Sequence, residues 1–475
     1  MLRRLIPRGR LVEGEFRPGG SAREWCAPDV LRLARRRSLA RLRHEAAPVE
    51  PRVLGRFLTK WQGVASGRRG LDALLDAIEN LQGAPVPASV LETDILPARV
   101  TDYDPADLDR LAAAGEITWL GVEPLGQRDG RIALYLTDHL PRLAPPGPAE
   151  GRGTAPASTL DERQHALVDA LRRSGASFFG PLHEAAGGGF PGETLDALWA
   201  LVWKGLVTND AFQALRMYVR PPERGRLKKS DGTVFRSRRL APPSSEGRWS
   251  LVERPTFSHR AATTWAAATA EQWLSRYGVV TREVASLEGT PGGFSAIYPV
   301  LRSLDDAGRI RRGYFAAGVP ATQFARPAAI ELLRALRTPA DEPEAVVLAS
   351  TDPANPYGGL LRWPALPTDE SGTLPAFART VGAMVALVEG TLAAFWRIGN
   401  PEIGVLLPEA EPERSRAARA LAARLADVAV HGEGRRGGLL VGTINGRPAR
   451  AHPFGPFLVA AGFVHSAMGY HRPRR

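Results

Sequence analysis

With one cysteine in 475 residues, Cys26, the chain can neither close an internal disulfide nor assemble a thiolate zinc site, which points to a cytoplasmic protein stabilised by packing alone. No stretch approaches the roughly 18 uninterrupted apolar residues of a membrane span. The opening MLRRLIPRGRLVEGEFRPGG also lacks the apolar run of a secretory signal. A Gly-rich phosphate loop ending in Lys and Ser or Thr is missing, as is a carboxylate box for magnesium, so the chain is not an ATP-driven motor by itself. Its nine histidines offer no pair at ligand spacing along a helix, so no metal is expected and no cofactor.

What is present in excess is positive charge. Lys and Arg number 62 against 50 Asp and Glu, a formal net charge of +12. Such a surface attracts polyanions, nucleic acid first, through its long-range field and counterion release. The length, with 44% hydrophobic residues, supports several cores and roughly three to four domains.

An internal repeat organises them. The pattern Leu, two residues, Leu, three residues, Gly, one residue, Ile or Val occurs at Leu108, Leu111, Gly115 and Ile117, at Leu198, Leu201, Gly205 and Val207, and at Leu301, Leu304, Gly308 and Ile310. Leucines three apart share a helical face, the glycine ends the helix, and the alternation beyond it begins a strand. Two shorter helical stretches precede each copy, and EITWLGVEPLGQRDGRIALYL and RIRRGYFAAGVPATQFA read as strand pairs around turns, so each unit is a winged helix. A weaker fourth copy retains Leu458, Gly462 and Val464, and near it Asn445-Gly446 marks a hairpin turn.

The expected fold class is therefore α+β, with tandem winged-helix domains plus a small β-barrel module. In order these are 1–27, an N-terminal segment pairing with the β module; 28–140, the first winged-helix unit or units; 160–220, a winged helix; 221–250, a basic linker; 258–330, a winged helix; 345–407, the β-barrel module; and 408–475, a C-terminal winged-helix-like unit.

Phosphate contacts need clustered cations, and the candidates are Arg35, Arg36 and Arg37 on an early helix, Lys228, Lys229, Arg238 and Arg239 in the linker, and Arg302, Arg311 and Arg312 on a third helix and its wing. Among the ten tryptophans, Trp61 stands beside Gln62, an aromatic face next to an amide, as a base drawn out of a duplex would need. Candidate acids near the β module are Asp352, in the turn TDPANPYGG, and Glu389.

The strings EWCAPDVLRLARRRSLARLRHEAAPVEP, FLTKWQGV, LQGAPVPASVLETDILPARV, YGVVTREVASLEGTPGGFSAIYPVLRSLDDAGRIRRGYFAAGVPATQFA, STDPANPYGGLLRWP and PFLVAAGF resemble the C-terminal region of the Lhr family of large helicase-related proteins, over essentially the whole chain. That resemblance implies winged helices around a β-barrel, similar in layout to AlkZ-type DNA glycosylases, and a helicase motor domain in the same or another polypeptide as partner. It also implies DNA as substrate, since some members are associated with removing uracil. AlkZ-type enzymes use a glutamine motif to position the attacking water, and its nearest equivalent here is Gln62. An aspartate near the extreme C-terminus is expected for uracil removal, and no acid follows Glu433. Hydrolysis at an anomeric carbon needs a carboxylate or amide to orient water, so the catalytic candidates are Gln62 and Asp352, with Trp61 as the base-stacking ring. Two other readings stay open: a non-catalytic nucleic-acid clamp or oligomerisation module, in which the chain forms a homo-oligomer, and a transcription regulator, which serial units disfavour.

Overall fold

In the computed structural model the helix of each repeat copy is closed by a glycine with positive φ, from which the chain turns toward a strand: Gly115 (φ 75°), Gly205 (65°), Gly308 (72°) and Gly462 (86°). The structure describes residues 47–146, 160–220, 242–255, 258–319, 322–365, 377–431 and 438–473, with residues 6, 10–14, 16 and 23–33 near the start. There, β1 (Val12–Gly14) and β2 (Glu24–Cys26) pair with each other. The expected pairing of this segment with the β module is not formed among the described residues.

The first unit is preceded by α1 (Pro51–Trp61) and consists of α2 (Gly70–Leu81), β3 (Val86–Pro87), a helical turn over 88–95, α3 (Pro105–Ala113), β4 (Ile117–Pro124) and β5 (Gly130–Leu136). Asp104 caps α3 by accepting the Ala106 N–H at 2.9 Å, with Pro105 at the first helical position. The sheet order is β3-β5-β4, so the first strand pairs with the third.

The same plan returns three times. The second unit has α4 (Glu162–Ser174), α5 (Phe179–Ala185), α6 (Pro191–Trp203), β6 (Val207–Asn209), α7 (Phe212–Val219) and β7 (Trp249–Leu251). Ser177 bridges to Trp249 in place of a first strand. Because β7 pairs with β6, the end of the stretch read as a basic linker closes this unit's own sheet.

The third unit has α8 (His259–Tyr277), β8 (Val279–Val280), α9 (Arg282–Leu287), α10 (Gly293–Asp306), β9 (Arg311–Gly313) and β10 (Gln323–Ala325), in order β8-β10-β9. It is followed by α11 (Pro327–Ala335).

The repeat leucines fill the unit cores: Leu108, Leu198, Leu301 and Leu458 are all 0% exposed. Truncating any one to alanine would remove about 2–5 kcal/mol.

The β module is a six-stranded sheet of β11 (Ala345–Ala349), β12 (Ala383–Val388), β13 (Thr391–Arg397), β14 (Glu402–Val405), then β16 (Thr443–Ile444) and β17 (Arg447–Pro448) of the fourth unit. The rest of that unit is α12 (Glu413–His431), β15 (Leu439–Val441), α13 (Gly455–Ala460), β18 (Val464–Ser466) and β19 (Gly469–Arg472), its own sheet ordered β15-β19-β18. The barrel expected over 345–407 is not closed among the described residues. β14 takes β16 as a parallel neighbour instead of turning back to β11, and α12 packs on the face of the sheet.

Both faces of this sheet are covered, which is why its strands are apolar at successive positions. Val346, Leu348, Val385, Leu387 and Phe395 join the core containing α1 and the third unit, while Val347, Ala349, Met384, Ala386 and Trp396 join the core containing α12.

Helix α1 crosses the turn between β12 and β13 backbone against backbone. A Cβ on Gly55 would lie 2.1 Å from the Gly390 carbonyl oxygen, and one on Gly390 2.0 Å from that of Arg52. Gly55→Ala is therefore expected to lower stability by about 1–3 kcal/mol or more through overpacking, read as a shift in urea midpoint at constant slope. Gly192→Ala, on α6 with nothing within 4 Å of the added Cβ, is the matched control and should leave the midpoint unchanged or raise it slightly.

Candidate functional site

Arginines staple the modules to one another. Arg276 at the end of α8 is 0% exposed and donates to the Asn80 carbonyl at 3.1 Å, to the Gln82 carbonyl and to Glu288, tying the third unit to the first. Arg216 on α7 reaches Glu92 at 2.8 Å and Asp109 at 2.7 Å, tying the second unit to the first. Arg56 on α1 donates to the carbonyls of Leu336 and Thr338, just beyond α11, at 3.0 and 3.1 Å.

The most deeply buried staple lies between the first unit and the sheet. Arg99 and Asp352 form a bidentate pair with both contacts at 2.8 Å, and their side chains are 1% and 0% exposed. The same guanidinium donates to Gln62 Oε1 at 2.7 Å and to the Ile95 carbonyl at 3.0 Å. Asp352 also accepts the Ala354 N–H at 2.7 Å, so its carboxylate is bonded on both oxygens. Two charges at this depth are held by the bidentate geometry and by bonds to both carboxylate oxygens, while Arg99 Nε is buried with no hydrogen-bond partner among the described residues.

The two catalytic candidates, Gln62 and Asp352, are thus brought together, by a residue that the sequence did not single out. The Asp352 carboxylate is turned into Arg99 at 0% exposure. Gln62, 4% exposed, gives its oxygen to Arg99, while its Nε2 is buried with no hydrogen-bond partner among the described residues.

Asp352 is flanked by Thr351 and Pro353, and both of these line a cavity of about 330 Å³ where the first unit, the third unit and the sheet meet. The first unit supplies Pro85, Pro87 and Arg131, the third Tyr277, Glu283 and Glu288, and the loops of the β module Thr351 and Arg379. Burial, with the Glu288 carboxylate beside it, raises the Tyr277 phenol above its ordinary value, so it stays a neutral donor. Burial also pushes Arg379 down to about 10. The Arg379 guanidinium is held by the carbonyls of Asp352 at 3.1 Å, Asn355 at 2.8 Å and Tyr357 at 3.0 Å. Two buried polar atoms of cavity-lining residues, Glu283 Oε2 and Thr351 Oγ1, have no hydrogen-bond partner among the described residues.

The other expected residues are scattered. The Trp61 ring stacks on Phe57 at 5.3 Å and its N–H is donated to the Ser275 carbonyl at 2.6 Å, so this indole is engaged in packing. Glu389 sits in the turn between β12 and β13, accepting the Glu344 N–H at 2.9 Å. Arg302 on α10 is exposed beside Asp306 at 3.8 Å, Arg312 is exposed beside Asp305 at 3.6 Å, and Arg311 is exposed on β9. Arg35, Arg36, Arg37, Lys228, Lys229, Arg238 and Arg239 lie outside the described residues. Sequence reasoning missed Arg99, Glu283, Thr351 and Arg379. The only local signal was the turn TDPANP, which also contains Thr351.

Fold and site together define a serial winged-helix protein with a polar cavity at the junction of three modules. Residues 49–137 and 259–345 each match a winged-helix domain family of the large helicase-related protein. The chain is 38% identical over 468 residues to a Mycolicibacterium smegmatis protein named Lhr helicase/probable uracil glycosylase, covering 94% of this chain and 29% of that one. It is 33% identical over 483 residues to the Lhr helicase/uracil glycosylase of Escherichia coli, covering 94% and 30%. The chain is thus similar over 94% of its length to part of these Lhr proteins, and it spans less than a third of the length of the two relatives. Among solved structures, the DNA glycosylase AlkZ of Streptomyces sahachiroi aligns with a TM-score of 0.47 at 15% identity, covering 80% of this chain and 96% of that one, a likeness too loose to carry an argument.

If the Arg99–Asp352 pair holds the first unit to the sheet, Arg99→Met and Asp352→Asn should each lose about 3–5 kcal/mol, because each leaves one buried charge without its partner. The double variant Arg99→Met, Asp352→Asn should lose clearly less than the two single losses added together. Chemical denaturation of the four proteins checks this, and additive losses would show that the two side chains act independently.

Proposed function

We propose that this chain is a DNA-binding repair module that works with a helicase motor, and that it excises uracil or another damaged base from DNA as a glycosylase. One observation carries the reading: a cavity of about 330 Å³, within the range of small-molecule sites, is bounded by three modules, and two of its lining residues carry a buried polar atom with no hydrogen-bond partner among the described residues. A nucleobase drawn out of the duplex brings the flat body and the hydrogen-bonding edge that such a cavity lacks. The names of the two relatives, each including uracil glycosylase, agree with it.

The DNA face belongs to the third unit. In a winged helix the third helix enters the major groove and the wing meets backbone, and here those elements carry the exposed Arg302, Arg311 and Arg312. Helix α9, which supplies Glu283 and Glu288 at its two ends to the cavity, packs directly on α10, so groove binding and base capture share one rigid element. In this reading Gln62, Arg99 and Asp352 hold the cavity's floor in place and do not touch the base.

The test is release of the base from end-labelled single-stranded and duplex DNA carrying one uracil or one alkylated purine, with hot alkali to break the strand at each abasic site. Breakage at the lesion is the expected result. Tight binding with no breakage at any lesion would replace excision by the clamp reading. Substituting Arg302, Arg311 and Arg312 together by alanine should weaken DNA binding and flatten the plot of log K against log salt by about 0.9 for each phosphate no longer neutralised. An unchanged slope would put the DNA face elsewhere.

A further inference from the structure

Two carboxylates line the cavity, Glu283 and Glu288, and a third, Asp352, stands beside it between Thr351 and Pro353. Asp352 is locked to Arg99. Glu288 accepts from Arg276 on one oxygen and from Trp273 Nε1, at 2.8 Å, on the other. Glu389 is not part of the lining; its Oε1 accepts the Glu344 N–H and its Oε2 lies 3.5 Å from the Arg56 guanidinium. Glu283 differs: Oε1 pairs with the exposed Arg282 at 3.0 Å, and Oε2 is buried with no partner among the described residues. A second cavity of about 600 Å³, rimmed by Tyr135, Trp265 and Trp273, has Glu288 as its one carboxylate, so it holds no acid free to act.

The cations of the smaller cavity complement this acid. Arg379, half-buried and fixed by three carbonyls, comes from a different module than Glu283, and desolvation disfavours its charge enough to push it down to about 10. A guanidinium in that position gains most from an anion arriving beside it. Cleavage of an N-glycosidic bond separates charge in the matching sense, positive on the sugar and negative on the departing base.

We infer that Glu283 is the catalytic carboxylate of this cavity, that Arg379 receives the negative charge of the departing base, and that the Thr351 hydroxyl bonds the base edge. The inference rests on the base-excision reading above. As the C1′–N bond breaks, its electron pair leaves with the base beside Arg379. The oxygen of a water molecule bonds to C1′ and its proton passes to Glu283 Oε2. The base then takes up a proton, and the products are an abasic site and the free base. No oxidant, metal or further reactant enters.

The experiment compares wild type, Glu283→Gln and Thr351→Val for single-turnover base release, and for affinity toward plain duplex and toward duplex in which one sugar is a cationic pyrrolidine. Both substitutions keep side-chain volume, and a thermal melt of each variant establishes that it folds. The expected result is a loss of base release of at least 100-fold in Glu283→Gln and about 10-fold in Thr351→Val, with plain-duplex affinity within two-fold. The preference of wild type for the pyrrolidine duplex should also be lost in Glu283→Gln. Base release by wild type with Glu283→Gln within three-fold of it would overturn the assignment while leaving the excision reading intact. If wild type releases no base at all, the excision reading fails and the pyrrolidine arm decides. A Glu283-dependent preference keeps the cavity as a site that recognises a cationic sugar, and its absence overturns the site altogether.

Discussion

Arg99 and Asp352 are each tolerable in the protein interior only because of the other. An isolated guanidinium or carboxylate at 1% or 0% exposure would face a desolvation penalty of several kcal/mol, and the bidentate contact, with Gln62 and the Ile95 carbonyl filling further donor positions, offsets it. The consequence is positional. Asp352 stands between Thr351 and Pro353, both lining the cavity, so the pair fixes that wall relative to the first unit. A hydrophobic contact of equal strength would allow sliding, whereas two parallel hydrogen bonds do not.

The same device recurs at the other seams, through Arg276, Arg216 and Arg56. Part of the positive charge that marks the sequence is therefore spent on holding winged helices together. What remains exposed on the third unit, at Arg302, Arg311 and Arg312, is the part available to a phosphate backbone. A cavity formed at the junction of three modules can also be tuned by any of them, and its acid and its cation come from different ones.

The repeat was legible because its determinants are local: a leucine pair, a chain-reversing glycine and a β-branched residue fall within ten positions and form a helix end whatever surrounds them. Strand closure was not. Whether β14 returns to β11 or runs on to β16, some forty residues later, depends on pairings that no local pattern encodes, so an open sheet read as a barrel. Gln62 and Asp352 were singled out and do meet, but Arg99, which joins them, is 37 and 253 positions away from them and sits in a sequence, LPARV, with no mark of function. Glu283 was hidden for the opposite reason. In the first turn of a helix an acid is ordinary, and only the three-dimensional neighbourhood shows that one of its oxygens has no hydrogen-bond partner among the described residues.

A cavity held in shape by the Arg99–Asp352 pair and receiving a base extruded from DNA would draw that base out of the stack as the protein binds. Fluorescence of 2-aminopurine placed in a mismatch reports this directly, since the base brightens on leaving the stack. A several-fold rise is expected when wild type binds, with a much smaller rise for Arg99→Met at a concentration where both are saturated with DNA. An equal rise in the two proteins, or none in wild type, would contradict it.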